Sequence, residues 1–349
     1  MPDSVSVSTA PGRPASVRRS GPFATSALAR RYLLTMIALA VLAVAVAAGI
    51  LGWDNPAPVG SDGFWRIAQL RVTSVVVILV VAFCQAVATI TFQTVTGNRI
   101  VTPSLMGFES LYTAISTSAI FFFGTAGALM VQGVAAYLLQ VAVMLVFSGI
   151  LYGWLLSGRY GNVQIMLLIG IILGGALAAF STFLQRLLTP TEFDLLTARL
   201  IGSVANADAT YLPIAVPLAA VAVAALWWGG GRLNVLALGR PVALGLGSPQ
   251  RRDTILALLM VSILMAVSTS LIGPMTFFGF LVAMLTYQFV ESYDHRRMFA
   301  MSLLIGFVVL AGAYFVMKHV FYAAGSVGII IEIVGGTVFL LHLLRKGRL

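Results

Sequence analysis

The chain has 349 residues, of which 60% are hydrophobic and only 9% charged, with a mean hydropathy of +1.00. No soluble domain of this length can hide so much apolar surface behind so few charges, so the composition requires lipid as solvent. The net charge of +10 would suggest nucleic acid as a partner in a soluble protein; in a membrane protein it reports topology instead.

Residues 1–31 are rich in Ser, Pro, Ala and Arg with almost no large apolar groups, and read as a disordered basic cytoplasmic tail. The first apolar run, 33–52, is too long for a signal-peptide core. It continues into Gly52-Trp53-Asp54-Asn55-Pro56 rather than a cleavage site, so it reads as an uncleaved first span. A spanning helix uses about 20 apolar residues. Further runs lie at 72–95, 104–123, 128–153, 163–184, 211–228, 254–272, 275–292, 298–317 and 327–344. The expected fold is all-α and polytopic, with about ten transmembrane helices over residues 32–349. The runs at 104–123 and 275–292 each start at a Pro-containing break.

Between these runs, 53–71 reads as an outer loop with Trp53 and Trp65 at interface depth, and 185–210 as the longest outer connection. The longest inner connection, 229–253, is moderately apolar but punctuated by Gly, Pro and Arg. Such a segment reads as short helices lying on a surface, where a partner could dock. With both termini cytoplasmic, Arg66, Arg71, Arg186, Arg199 and Lys318 fall outside and the other 16 of the 21 Lys and Arg inside. That is the bias of the positive-inside rule.

Enzymatic constellations are missing. His295, His319 and His342 lie far apart without metal-ligand spacing, and no phosphate-binding loop of the G-x-x-x-x-G-K-[ST] type occurs. Any ATP would be hydrolysed by another chain. Cys84, inside the second span, is a small apolar residue with no partner for a disulfide. Two acids fall at or inside spans, Glu109 and Glu332. Such groups line a pathway, relay protons, or act as hydrogen-bonded structural acids at helix contacts. Gly170 and Gly174 form a small-x-x-x-small packing motif, which Gly306 and Gly312 fit less well.

The most distinctive stretch runs from Arg71 to Gly107. A long apolar helix carries Gln93 near its end, then breaks into Gly97-Asn98-Arg99-Ile100-Val101-Thr102-Pro103-Ser104-Leu105-Met106-Gly107. Together, Arg71, Gln93, Asn98, Pro103 and Gly107 resemble the signature of the permease subunits of ABC importers for iron–siderophores, haem and cobalamin. Members of that family carry Arg-x-Pro-Arg, a long helix with Gln, and Asn-Pro-Leu-Ala-x-Pro-x-Leu-Gly. The stretch from Phe92 to Tyr112 looks most like the iron-siderophore branch. Further resemblances follow in family order: Gly202-Ser203, the loop from Leu233 to Gly247, Gly273-Pro274 through Gly279, Asp294-His295-Arg296, and Gly328 through Gly335-Gly336. The chain departs from the pattern at Thr73 and Ser74, which replace Pro and Arg, and at Ala82 and Thr89, which replace glycines. Arg240-Pro241 stand where the docking loop usually has an acid, and the Pro-His usual after the Gly279 element is absent. These departures suggest a divergent member, such as one half of a heterodimer.

The resemblance implies a permease of the type II importer kind that binds no cofactor itself, with ATP and Mg on the partner ATPase. The implied partners are a second permease subunit, identical or different, two ABC ATPase subunits and an extracytoplasmic substrate-binding protein. A ferric siderophore is the implied substrate, with haem or cobalamin as the alternative, and a bacterial cytoplasmic membrane the location. ATPase docking is expected over 233–252, with Leu238, Gly239, Arg240, Ala243, Gly245 and Gly247. Arg71 and Lys318 are expected to meet the binding protein, and Tyr160, Gly161 and Asn162 to form an inner gate. Gln85, Gln93, Glu109 and Glu332 are the candidate path residues; the two glutamines equally fit interhelical hydrogen bonds. Motif positions are Asn98, Pro103, Gly107, Gly273 and Gly279. One rival is a proton-coupled secondary transporter with Glu109 and Glu332 as carriers. Another is a membrane-embedded assembly or receptor subunit. The docking-loop resemblance disfavours both.

Overall fold

A computed structural model describes residues 21–157, 162–204, 207–321 and 327–346. The described residues form helices α1 (Ser26–Gly52), α2 (Asp62–Thr96), α3 (Phe108–Met130), α4 (Gly133–Ser157), α5 (Val163–Gln185), α6 (Pro190–Leu200) and α7 (Leu212–Trp228). These are followed by α8 (Gly230–Leu236), α9 (Arg240–Gly245), α10 (Gln250–Ile272), α11 (Phe278–Phe289), α12 (His295–His319) and α13 (Val327–Lys346). Eight of the segments are long and apolar enough to cross a membrane, and two shorter apolar helices, in α11 and α13, complete the set.

Three boundaries differ from the sequence expectation. Helix α1 starts at Ser26, where the Thr25 hydroxyl accepts the Leu28 N–H at 3.3 Å, so Arg30 and Arg31 belong to a helix and not to a tail. The rest of the expected tail, 1–20, lies outside the described residues. Helix α2 starts at Asp62 under a Ser61 cap, so Trp65 and Arg66 are helical and the connection expected over 53–71 is much shorter. Capping explains both: Ser and Thr side chains satisfy the first free N–H groups of a helix wherever they precede one. The third correction is the expected span at 275–292. Only Phe278–Phe289 is helical there, 12 residues or about 18 Å, too short to cross a hydrocarbon core of about 30 Å.

Helix α2 is the centre of the molecule. Within its most apolar window 78% of residues are buried inside the chain, against 67% for α10, 17% for α5 and 11% for α1. Helices α10, α12 and α11 pack around α2, and α1 lies outermost against α12. Inside this apolar body, Gln85 of α2 donates to the Ser268 hydroxyl of α10 at 3.1 Å. A buried amide in such surroundings needs a partner, and here the partner is the neighbouring helix.

The connection 185–210 contains α6. Its start is a capping box: the Thr189 hydroxyl faces the Glu192 N–H, and the Glu192 carboxylate accepts the Thr189 N–H at 3.0 Å. Those bonds hold the Glu192 carboxyl below its usual range. The connection 229–253 contains α8 and α9, as its punctuated sequence suggests.

Candidate functional site

The chain break after α2 is built from the residues that make it distinctive. Gly97 ends α2 in the left-handed region at φ +63, which favours glycine, and its N–H returns to the Gln93 and Thr94 carbonyls. Asn98 Oδ1 then accepts the Ile100 N–H at 2.9 Å, turning the chain. Pro103 opens a short 3-10 helix, Pro103–Met106, whose Pro needs no N–H partner at that position. Gly107, at φ +90, ends that turn and starts α3.

The break does not stay at the surface. Gly107 and Met106 press on α5 at Gly174 and Gly170, where an added Cβ would meet Gly107 Cα at 3.0 Å and Met106 Sδ at 2.7 Å. The Gly170/Gly174 motif therefore receives the signature break. Gly174 stands eleven residues inside α5, so α3 begins about 16 Å along that helix, within the bundle.

A second irregular stretch meets the first. Helix α10 ends at Gly273, with φ +93, and α11 starts five residues later. Glu109, in the first turn of α3, accepts the Met275 N–H at 3.1 Å and the Thr276 hydroxyl at 2.6 Å. Ser203 N–H donates to Ile272 O at 3.0 Å, and Gly328 N–H to Gly202 O at 3.1 Å. The irregular stretches at 202–203 and 273–277 thus exchange hydrogen bonds with each other's neighbourhood and with the starts of α3 and α13. Backbone without regular structure survives at membrane depth only when buried in protein this way.

These contacts decide what the candidate path residues do within the chain. Gln85, Gln93 and Glu109 are buried, at 1%, 2% and 8% exposure. Gln93 donates to Arg99 O at 2.7 Å and accepts the Tyr287 hydroxyl at 2.9 Å, while the Arg99 guanidinium lies 4.6 Å from the Tyr287 ring centroid. Within this chain all three tie elements together. Glu332 differs. It is exposed on α13 and is the one candidate path acid that faces outward.

At the end of the bundle where α1 begins, basic residues gather; we refer to it as the basic end. Helices α8 and α9 lie there. Leu238, Val242, Leu244 and Leu246 are 57%, 48%, 54% and 62% exposed beside the exposed Arg240. Ala243 is fully buried and anchors α9, while Gly239 at φ +87 and Gly247 at φ +75 bound the helix with turns that favour glycine. Gly245 is exposed, with nothing near it. Asp253 in the first turn of α10 bonds Arg232 Nη1 at 3.2 Å and the Ser248 hydroxyl at 3.1 Å, closing the loop on itself. A cavity of about 1000 Å³ lies between this loop, the end of α2 and the start of α5, lined in part by Thr94, Asn162, Arg240 and Arg251. Asn162 caps α5, its side chain accepting the Gln164 N–H at 2.8 Å. Tyr160 and Gly161 lie outside the described residues.

At the opposite end, Arg71 is committed. Its guanidinium donates to Ile50 O at 3.2 Å, Trp53 O at 2.6 Å and Asp54 O at 3.0 Å, capping the end of α1. Lys318, near the end of α12, sits 5.6 Å from the Tyr314 ring centroid. A cavity of about 410 Å³ opens at this end between Tyr112, Arg199, Asp208, Tyr211 and the end of α10.

Sequence reasoning left unassigned several residues that organise the basic end: Thr94, Arg232, Asn234 and Asp253. The signal was available in one respect, since the one acid of α10, Asp253, directly precedes its apolar run and calls for a partner. The partners themselves come from elements brought together only by folding.

A bundle of long apolar helices with broken segments meeting inside it defines a polytopic membrane permease. The chain belongs to the FecCD transport family, whose model matches residues 28–345. It is 47% identical over 329 residues to the petrobactin import system permease protein FatC of Bacillus anthracis, covering 94% of this chain and 93% of that protein. It is 34% identical over 278 residues to the petrobactin import system permease protein YclO of Bacillus subtilis (strain 168), covering 80% and 88%. A solved structure of a candidate metal-chelate type ABC transporter in an inward-facing conformation matches with a TM-score of 0.73 at 22% identity, over 90% of this chain and 99% of that one. That likeness supports the fold.

Proposed function

We propose that this chain is the membrane permease subunit of an ABC importer that carries a ferric siderophore into the cytoplasm. The observation that carries this reading is the 47% identity to a petrobactin import permease, which spans nearly all of both chains. Petrobactin or a chelate of the same donor chemistry is the first substrate to test. Haem and cobalamin, substrates of the wider family the sequence resembles, are the alternatives.

In this reading two permease subunits enclose the path, and two ATPases bind the basic end, which is cytoplasmic together with both termini. The exposed leucines and valine around Arg240 supply the chemistry of such an interface, an apolar centre with a charged rim. ATP binding would draw the docking loops together and rock the two halves between access states. A substrate-binding protein would deliver the chelate to the opposite end, where Lys318 would meet it. Glu332 would line the path or the subunit contact. Gln85, Gln93 and Glu109 would hold the broken helices in place around it.

The test is uptake of labelled ferric petrobactin, haem and cobalamin by iron-starved cells lacking this gene, with and without its restoration. Loss and recovery confined to the ferric siderophore supports the reading. Loss and recovery confined to haem or cobalamin replaces the substrate and keeps the permease. No effect on any of the three overturns it.

A further inference from the structure

The start of α12 makes a connection that the proposed function does not use. His295 is 1% exposed and bridges two elements that belong to different parts of the machine. Its backbone N–H donates to Asn234 Oδ1 at 3.0 Å, and its ring Nδ1 lies 2.6 Å from the same oxygen. Its ring Nε2 lies 2.7 Å from Thr94 Oγ1. Asn234 is on α8, inside the docking loop, and Thr94 is in the last turn of α2, the central helix.

Both ends of this bridge are themselves anchored. On one side, Arg296 Nε donates to Trp227 O at 3.1 Å, and the Arg296 side chain lies against Gly230. The beginning of α12 therefore grips the corner from which α8 starts. On the other side, Thr94 Oγ1 also lies 2.9 Å from Ile90 O of its own helix. Thr94 adjoins Gln93, whose amide holds both the break, through Arg99, and α11, through Tyr287. A displacement of α8 thus has a short polar route to the point where α2 ends and the broken segments begin. Hydrogen bonds shielded from water keep their geometry better than apolar contacts, which slide.

We infer that His295 is a positioning residue that transmits movement of the docking helix α8 to the inner end of α2, through Asn234 on one ring nitrogen and Thr94 on the other. The inference rests on the proposed docking of an ATPase at α8 and α9. It assigns His295 no contact with substrate and no proton transfer.

The test uses the whole transporter in proteoliposomes and reads siderophore imported per ATP hydrolysed. Thr94→Val removes one end of the bridge at constant shape, and Asn234→Leu removes the other. Each is expected to lower the import-to-hydrolysis ratio roughly tenfold, within the range for residues that couple distant sites. ATPase binding should be unchanged in Thr94→Val, whose site lies on α2 outside the docking loop. Asn234→Asp keeps the acceptor oxygen and should restore the ratio. Because the two contacts act in series, the double variant should be no worse than either single one. Import and hydrolysis falling together at a constant ratio would show a merely structural contact and overturn the inference, as would multiplying losses in the double variant. The docking reading is checked separately by Leu244→Asp with Arg240→Glu. If that pair leaves ATPase binding intact, the docking assignment is what has failed.

Discussion

Gly107 and Gly174 meet backbone to backbone. An added Cβ on either residue would fall 3.0 Å from the other's Cα, so two chain segments approach as closely as only glycines permit. Gly174→Ala should cost about 1–3 kcal/mol by overpacking, and Gly107→Ala should add strain because of its φ of +90. Gly175→Ala, where nothing lies within 4 Å, should be neutral. Thermal unfolding of the three variants in detergent checks the ranking.

The second contact of this kind involves a family departure. Gly279 packs directly on Thr89, and Gly306 lies 3.3 Å, measured from an added Cβ, from Ala82 O. The two α2 positions that resemble glycines in the family are larger here, and the residues facing them are glycines. Gly279→Ala should destabilise by roughly 1–3 kcal/mol, and adding Thr89→Gly should recover part of that loss. Unfolding temperatures of the single and double variants measure the recovery; additive losses would show that the two sites do not compensate.

Glu109 separates two mechanisms. It accepts two hydrogen bonds from the 273–277 break, so Glu109→Leu should orphan both donors at about 1–3 kcal/mol each. Glu109→Gln keeps an acceptor and should retain substantial uptake with unchanged dependence on ATP. A proton carrier would lose transport with either substitution, and uptake assays in the presence of an uncoupler distinguish the cases.

Arg71 and Lys318 should behave differently although both are cations at the same end. Arg71→Glu breaks three carbonyl contacts at the end of α1 and should destabilise by about 1.5–3 kcal/mol for a charged donor. Lys318→Glu should leave unfolding unchanged and weaken capture of the binding protein. Unfolding curves and binding-protein affinity for each single variant separate the roles.

Much of the fold was legible because lipid leaves few options: apolar runs of about 20 residues must be helices. The break at 97–107 was legible from Gly97, Asn98, Pro103 and Gly107, each a residue whose local geometry is restrictive. Helix starts at Ser26 and Asp62 were missed because Thr25 and Ser61 cap helices that begin with polar residues, before apolar periodicity shows. The length of α11 was missed because a run of apolar residues at 275–292 does not reveal that Met275 and Thr276 bond to Glu109 instead of to a helix. For the site, the short helices within 229–253 were readable from its Gly and Pro spacing. The buried state of Gln85, Gln93 and Glu109 was not, since a polar residue in a span has the same sequence signature whether it faces a path or a neighbouring helix. The bridge through His295 needs Thr94, Asn234 and His295 together, and only folding supplies that.

The most direct test of the central claim is import into proteoliposomes carrying this chain with its ATPase and second permease subunit, supplied with binding protein and ferric siderophore. The account predicts uptake that requires ATP hydrolysis and persists when the proton gradient is collapsed. Uptake driven by an imposed proton gradient without ATP would contradict it.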